Sequence, residues 1–133
     1  MNKKENNHEN DDLAMYIFIN NDLKMEKGKI AGQCAHATQH IIEEIIFQHY
    51  SCKKDDSIKI KEDYINWKKY HGSAKVVLKA TQSDLEELMN LPKTTYIRDA
   101  GKTQIAPNSL TCVAFYPCKK SDLIHITQKY KLL

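Results

Sequence analysis

Two short stretches of the sequence carry residues whose types could do chemistry together. The first has three lysines within residues 24–29, where an apolar strand passes into a helix. In the second, the acid Asp99 and the hydroxyl of Thr103 are flanked by the basic residues Arg98 and Lys102. A lone carboxylate beside a hydroxyl, inside a set of cations, suits a reaction on a phosphate-bearing substrate.

Lys24, Lys27 and Lys29 stand at the beginning of a predicted helix. Free N–H groups and the positive dipole end already favour anions there, so added cations mildly oppose folding unless an anion binds. The simpler alternative is that these three lysines are solvated surface charges that bind no ligand. Ligands of α/β sheets bind at strand ends and in the loops beyond them, so a shared site requires the two basic stretches to converge.

Three familiar motifs are incomplete in this chain. The GKT at 101–103 has Tyr96 where a nucleotide-binding P-loop needs glycine, and it links two strands instead of opening a helix. His36 and His40 have the spacing of a zinc-binding pair, but Ala37 stands where the catalytic glutamate would be. Packed or solvated histidines are the favoured interpretation, and a Cys–His nucleophile has no visible third partner.

The composition is that of one soluble domain. The chain has 133 residues, 41% of them hydrophobic and 28% charged, which favours a single core. Residues 1–13 have a net charge of −2 and the other 120 residues one of +5, and a basic domain suits a polyanionic partner. The four cysteines form no CxxC pair, and we find no signal peptide or membrane-length apolar run. These features predict a soluble, cytoplasmic protein with free thiols.

Hydrophobic periodicity predicts the order of the elements. We divide the chain into a flexible polar tail, 1–13, and a domain, 14–133. The expected elements are a strand buried on both faces at 13–19, a helix at 28–50, a polar loop at 51–59, a short helix at 61–71, a strand at 74–80, a helix capped by Thr81 or Ser83, strands at 94–99 and 110–116, and a last helix from Ser121. The last two strands should be antiparallel, because their connection leaves no room for a helix.

This order predicts a single three-layer α/β/α domain with a four-stranded mixed sheet and helices on both faces. The helix at 28–50 should bury a wide stripe made of two adjacent apolar rows, one through Ala37 and Ile41 and one through Ala35 and Ile46. Tyr64, Trp67 and Tyr70 should together cover the edge of the core.

Two motifs and the chain terminus resemble the type 2 peptidyl-tRNA hydrolases of archaea and eukaryotes. They are DLKMEKGKIAGQCAHA (22–37), DAGKTQIAPNS (99–109) and the final YKLL, and the likeness runs from about Met15 to the end. It implies an enzyme that cleaves the ester between a peptide and the 3′ ribose of tRNA, so that stalled tRNA is recycled. It also implies that no metal or cofactor is needed, and that a homodimer is possible.

The resemblance also assigns roles to residues. The family's catalytic positions match Lys24, Asp99 and Thr103, and the expected tRNA-binding residues are Lys27, Lys29, His36, Arg98 and Lys102. Our hypothesis is that Asp99 orients or deprotonates water, Thr103 holds that water or the ribose, and Lys24 stabilises charge in the transition state. In an alternative, Lys24 only holds Asp99. The rival function is a catalytically silent RNA-binding or adaptor relative with the same fold.

Overall fold

The computed structural model describes residues 12–47, 54–101 and 105–133. The predicted tail, apart from its last two residues, therefore lies outside the described residues. The strands are β1 (Leu13–Asn20), β2 (Lys75–Ala80), β3 (Thr94–Arg98), β4 (Leu110–Phe115) and β5 (Cys118–Lys119), and the helices are α1 (Lys27–Phe47), α2 (Lys54–Tyr70), α3 (Gln82–Leu88) and α4 (Lys120–Thr127).

The sheet is mixed, as predicted, and its order is β2-β1-β4-β3. β1 is parallel to β2 and antiparallel to β4, and β3 and β4 form the expected antiparallel pair. The sheet has five strands, not four, because the short β5 also pairs with the beginning of β1, Leu13 opposite Lys119 and Ala14 opposite Cys118. A strand of two residues carries no alternating pattern, so periodicity gave no sign of it.

A hydrophobic core lies on each face of the sheet, which confirms the three-layer α/β/α arrangement. One core packs α1 and α2 against the sheet through residues such as Ile41 and Trp67. The other packs α3 and α4 through Leu85, with Leu123 at its margin. All eight residues of β1 are buried, as the sequence predicted for a strand covered on both faces. Among the described residues, no helix is long and apolar enough to cross a membrane.

Only one of the two apolar rows of α1 is buried. Gln33, Ala37, Ile41 and Ile45 face the core, whereas Ile46, on the second row, is 54% exposed. The predicted wide stripe is therefore wrong in its second row. α2 packs on the same face of the sheet, where its Ile60 and Trp67 belong to the same core, so α1 covers only part of that face.

The helix after α1 begins earlier than predicted. α2 starts at Lys54, so the prediction of a loop over 51–59 is wrong from residue 54 onward, while residues 51–53 lie outside the described part. Trp67 is 2% exposed and donates from Nε1 to the Ala74 carbonyl at 2.8 Å. Tyr70 is 73% exposed, contrary to prediction. Each three-residue step falls about 60° short of a full turn, which carries Tyr70 off the face that Tyr64 shares with the core.

Thr81 is the residue that caps α3. Its hydroxyl accepts from the Asp84 N–H at 3.1 Å, and the Asp84 carboxylate accepts from the Thr81 N–H at 3.1 Å. This reciprocal capping box satisfies two of the N–H groups that a helix start leaves free. Of the two caps that the sequence offered, Thr81 is thus the one used.

Candidate functional site

The end of β1 places Lys24. Asn20 is buried, and its side chain donates to the Leu110 carbonyl at 2.8 Å and accepts from the Asp22 N–H at 3.0 Å. These bonds anchor a single 3-10 turn, Asn21–Leu23, which ends at Lys24 in the left-handed conformation (φ 51°, ψ 42°). A lysine in this conformation costs about 1–2 kcal/mol. The chain thus holds an exposed lysine at a strained position just before α1.

Asp99 is fixed by the loop that follows β3. Its N–H donates to the Ser109 carbonyl and its carbonyl accepts from the Asn108 N–H, both at 2.9 Å. Its Oδ2 accepts from the Gly101 N–H at 2.8 Å. Gly101 has a φ of 81°, and a Cβ there would lie 3.0 Å from the Pro107 side chain. Glycine is therefore required at this position for the turn that directs an N–H toward Asp99.

Lys29, in the first turns of α1, is the lysine that reaches Asp99. Its Nζ donates to Asp99 Oδ1 as a salt bridge. The Asp99 side chain is 2% exposed and that of Lys29 is 18% exposed. Because two charges leave water together, the pair depends on mutual contact and on the Gly101 N–H to offset the cost of desolvation. The structure thus pairs Asp99 with Lys29, one of the residues expected to bind tRNA, and not with Lys24.

Two neighbouring grooves flank this salt bridge. The Lys24 groove, of about 470 Å³, is lined by Lys24, Lys29 and Ile105 among others. The Asp99 groove, of about 370 Å³, runs between α1 and β3. Lys29 lines both. The two chemical stretches of the sequence therefore converge, which the shared-site hypothesis required.

The Asp99 groove contains two cationic side chains, Lys29 and Arg98, and the aromatic ring of Tyr96. Lys29, Gln33, His36, His40, Tyr96, Arg98 and Asp99 are among its lining residues. The Arg98 guanidinium lies over the Tyr96 ring at 5.7 Å and donates to the Asn108 carbonyl at 3.1 Å. A groove of this kind is suited to a phosphate-bearing strand with exposed bases.

The remaining predicted site residues are placed less centrally. Lys27 is the first residue of α1 and is exposed. Thr103 and Lys102 fall within residues 102–104, outside the described part of the chain.

Sequence reasoning missed two buried polar residues beside the salt bridge. Gln33 is 5% exposed and Thr111 is fully buried, and the Thr111 hydroxyl donates to Gln33 Oε1 at 2.6 Å. The signal was available, because Gln33 occupies the core-facing row of α1 one turn before Ala37, and Thr111 interrupts an apolar strand. A polar residue at a core position must have a hydrogen-bond partner, and an exception calls for an explanation such as a functional role.

The geometry weakens the alternative of a thiol nucleophile. Burial raises the pKa of the Cys112 thiol to about 12 and also raises the pKa of Cys34. Neither is then a ready thiolate nucleophile at neutral pH. Within the described ranges, no three His, Cys, Asp or Glu side chains are grouped as a metal site, and His36 and His40 remain a pair on one helix face.

Comparison with known proteins gives the family of the chain. The family model described as "Peptidyl-tRNA hydrolase PTH2" matches residues 13–133. A protein of Saccharolobus solfataricus named "Peptidyl-tRNA hydrolase" is 34% identical, over 91% of this chain and 99% of its own. Proteins of the same name from Saccharolobus islandicus (strain L.S.2.15 / Lassen #1) and Sulfurisphaera tokodaii are 36% and 38% identical, over 91% and 90% of this chain and 99% and 97% of theirs. The chain therefore belongs to the peptidyl-tRNA hydrolase PTH2 family.

Proposed function

We propose that this protein is a peptidyl-tRNA hydrolase, which cleaves the ester between a peptide and the 3′ ribose of tRNA and so recycles tRNA from stalled translation. The observation that carries the proposal is the buried Lys29–Asp99 pair at the side of a cationic groove. Family membership and the names of the relatives point to the same substrate. The alternative, a catalytically silent RNA-binding relative, has no observation that favours it.

Hydrolysis of an ester needs a directed water molecule and a partner for the negative charge that develops on the carbonyl oxygen. Asp99 Oδ1 accepts from Lys29 and Oδ2 from the Gly101 N–H. These donors offset the charge of the buried carboxylate, and a carboxylate oxygen orients a water molecule by accepting one of its hydrogens. We assign Asp99 to orient the attacking water and to receive its proton. Thr103 would hold that water or the edge of the ribose.

The structure motivates a change in the roles of the lysines. Because Lys29 contacts Asp99 and lines both grooves, we assign it to stabilise charge in the transition state. Lys24, which the sequence hypothesis placed in that role, lies exposed on the neighbouring groove and is assigned to a phosphate. Lys29→Ala should then lower kcat with little change in tRNA affinity, and Lys24→Ala should do the reverse. A larger loss of kcat in Lys24→Ala would restore the original assignment.

The other basic residues are proposed to hold the acceptor end of the tRNA. His36 and Arg98 line the Asp99 groove, and Lys27 is exposed beside the Lys24 groove, with Lys102 as a further candidate. Contacts to phosphates set the position of a nucleic acid without reading its bases. We therefore expect many different tRNAs to be accepted.

The test is the release of N-acetylaminoacyl groups from tRNA, compared with release of the same amino acid with a free amine. We expect release from the blocked substrate alone, with EDTA present. Binding of tRNA without release would identify the silent RNA-binding relative. Release that EDTA abolishes would point instead to a metallohydrolase built on His36 and His40.

We further propose that the protein is a cytoplasmic homodimer. The second apolar row of α1 leaves Ala31, Ala35 and Ile46 exposed along one helix face, and such a row is suited to a partner helix. Light scattering should give twice the mass of the chain, and Ile46→Lys should give the mass of one chain. A single-chain mass for the unmodified protein would refute the dimer.

A further inference from the structure

Gln33 is a polar residue at a core position whose task the salt bridge does not explain. It follows Lys29 by four residues on α1, so both side chains lie on the same side of the helix. It is 5% exposed and lines the Asp99 groove together with Lys29 and Asp99. A buried amide in this place is therefore next to the reacting groups that we propose.

One end of the Gln33 amide is held firmly. The fully buried Thr111 hydroxyl on β4 has two acceptors in reach, Gln33 Oε1 at 2.6 Å and the Ile97 carbonyl at 3.1 Å, and its one hydrogen goes to the nearer, Oε1. The Cys112 thiol, the next residue of the strand, donates to the Gln33 backbone carbonyl at 3.7 Å. The Thr111 contact turns the amide oxygen toward the sheet and leaves the amide nitrogen on the other side.

The other end of the amide is available. Nε2 of Gln33 has no hydrogen-bond partner among the described residues. Every fully buried side-chain nitrogen or oxygen in that part of the chain does have a partner. Nε2 therefore retains contact with solvent, and the groove that Gln33 lines is the Asp99 groove.

We propose that Gln33 is a catalytic residue whose Nε2 donates a hydrogen bond to the carbonyl oxygen of the substrate ester as that oxygen becomes negative. This inference rests on the proposed hydrolase function. Water adds through its oxygen to the ester carbon while its proton passes to Asp99, and the π electrons of the C=O bond move to the carbonyl oxygen. When they return, the bond to the ribose O3′ breaks, and O3′ takes the proton from Asp99.

An amide is well suited to this task. It is neutral, so it donates a hydrogen bond without competing with Lys29 for the charge of Asp99. Its orientation is fixed by Thr111 before substrate arrives, so no reorganisation is needed during the reaction. Loss of one such preorganised donor typically lowers kcat by about 10²–10³-fold.

The test compares Gln33→Met with Gln39→Met in the hydrolysis of N-acetylaminoacyl-tRNA. Methionine has a similar length but no N–H. Gln39 is an exposed glutamine on the same helix that bonds only Glu43 among the described residues, at 2.9 Å. We expect Gln33→Met to lose about 10²–10³-fold in kcat with KM within about twofold, and Gln39→Met to match the unmodified protein. A Gln33→Met protein that is less stable but keeps its kcat would overturn the inference.

A binding measurement distinguishes whether Gln33 donates a hydrogen bond to the transition state or only packs in the core. Two unreactive adenosine conjugates serve as probes: an amide-linked analogue of the ester and a tetrahedral phosphonate. Gln33→Met should weaken binding of the phosphonate by a factor close to the loss of kcat and leave binding of the amide unchanged. Equal weakening of both would overturn the assignment.

Variants of Thr111 test the same inference without changing Gln33, and they serve if Gln33→Met does not fold. Thr111→Val removes the hydrogen bond that holds the amide, so kcat should fall, and Thr111→Ser should restore it. Unchanged kcat in Thr111→Val would contradict the proposed positioning. An unmodified protein without activity would refute the proposed function, whereas an active protein with a fully active Gln33→Met variant would refute this inference alone.

Discussion

Replacing Lys29 by methionine removes the cation that contacts the buried carboxylate of Asp99. The Asp99 side chain is 2% exposed, so water would replace little of the lost interaction. Removing one partner of a buried ion pair costs about 3–5 kcal/mol. The Gly101 N–H still donates to Oδ2 at 2.8 Å and Lys29 is itself 18% exposed. We therefore expect a loss near the lower end, about 3 kcal/mol in the free energy of unfolding.

Urea unfolding measures this loss. Trp67 is the single tryptophan of the chain and is 2% exposed, so its fluorescence reports unfolding. With a slope of about 1–3 kcal/mol per molar urea, a loss of about 3 kcal/mol moves the midpoint by about 1–3 M. Lys27→Met, an exposed lysine two positions earlier, is the matched control, and its effect should stay within about 0.5 kcal/mol.

The double variant Lys29→Met/Asp99→Asn isolates the cause. Its core would hold a neutral amide in place of an unpaired charge, so it should be more stable than Lys29→Met alone. Lys29→Met and Lys27→Met with equal midpoints would refute the reasoning. The reasoning would also be refuted if the double variant lost a free energy of unfolding equal to the sum of the losses in the two single variants.

Three further predictions concern the helix cap, the thiols and the nucleic-acid surface. Thr81→Ala should lower the free energy of unfolding by about 1 kcal/mol, more than Ser83→Ala, with hydrolysis unchanged; equal effects would contradict the capping box. Burial raises the pKa of Cys112 and Cys118 to about 12, so only about one thiol in ten thousand is ionised at pH 8. Mass spectrometry should show far slower alkylation of both before unfolding than after it, and equal rates would count against the burial. Added salt should weaken tRNA binding steeply, and Lys24→Ala should reduce the slope by about one; a flat dependence would exclude phosphate contacts.

Hydrophobic periodicity was sufficient to predict most of the fold. A continuous apolar run gave β1, and the short connection between β3 and β4 gave their antiparallel pairing, because both features are local in the chain. The exposed second row of α1 was not predictable in this way. It too contains apolar residues such as Ala35 and Ile46, and which of the two rows the sheet covers is decided only when α1 and α2 pack together on that face.

The convergence of the two basic stretches was also predicted, but not the lysine that meets Asp99. Lys24 and Lys29 are five residues apart, and the 3-10 turn and the start of α1 between them determine which one reaches β3. The spacing of the two lysines in the sequence does not show which of them the folded chain directs toward Asp99. Gln33 was missed for a related reason, since its partner Thr111 is 78 residues away and the pair exists only once β4 is packed against α1.

The most direct measurement for the whole account is the single-turnover rate of N-acetylaminoacyl-tRNA hydrolysis by Asp99→Asn at saturating protein, with the dissociation constant for deacylated tRNA measured in parallel. We predict a rate at least about a hundredfold below that of the unmodified protein, with tRNA affinity preserved. An Asp99→Asn protein that cleaves the ester at the normal rate would contradict the claim that this carboxylate directs the reaction.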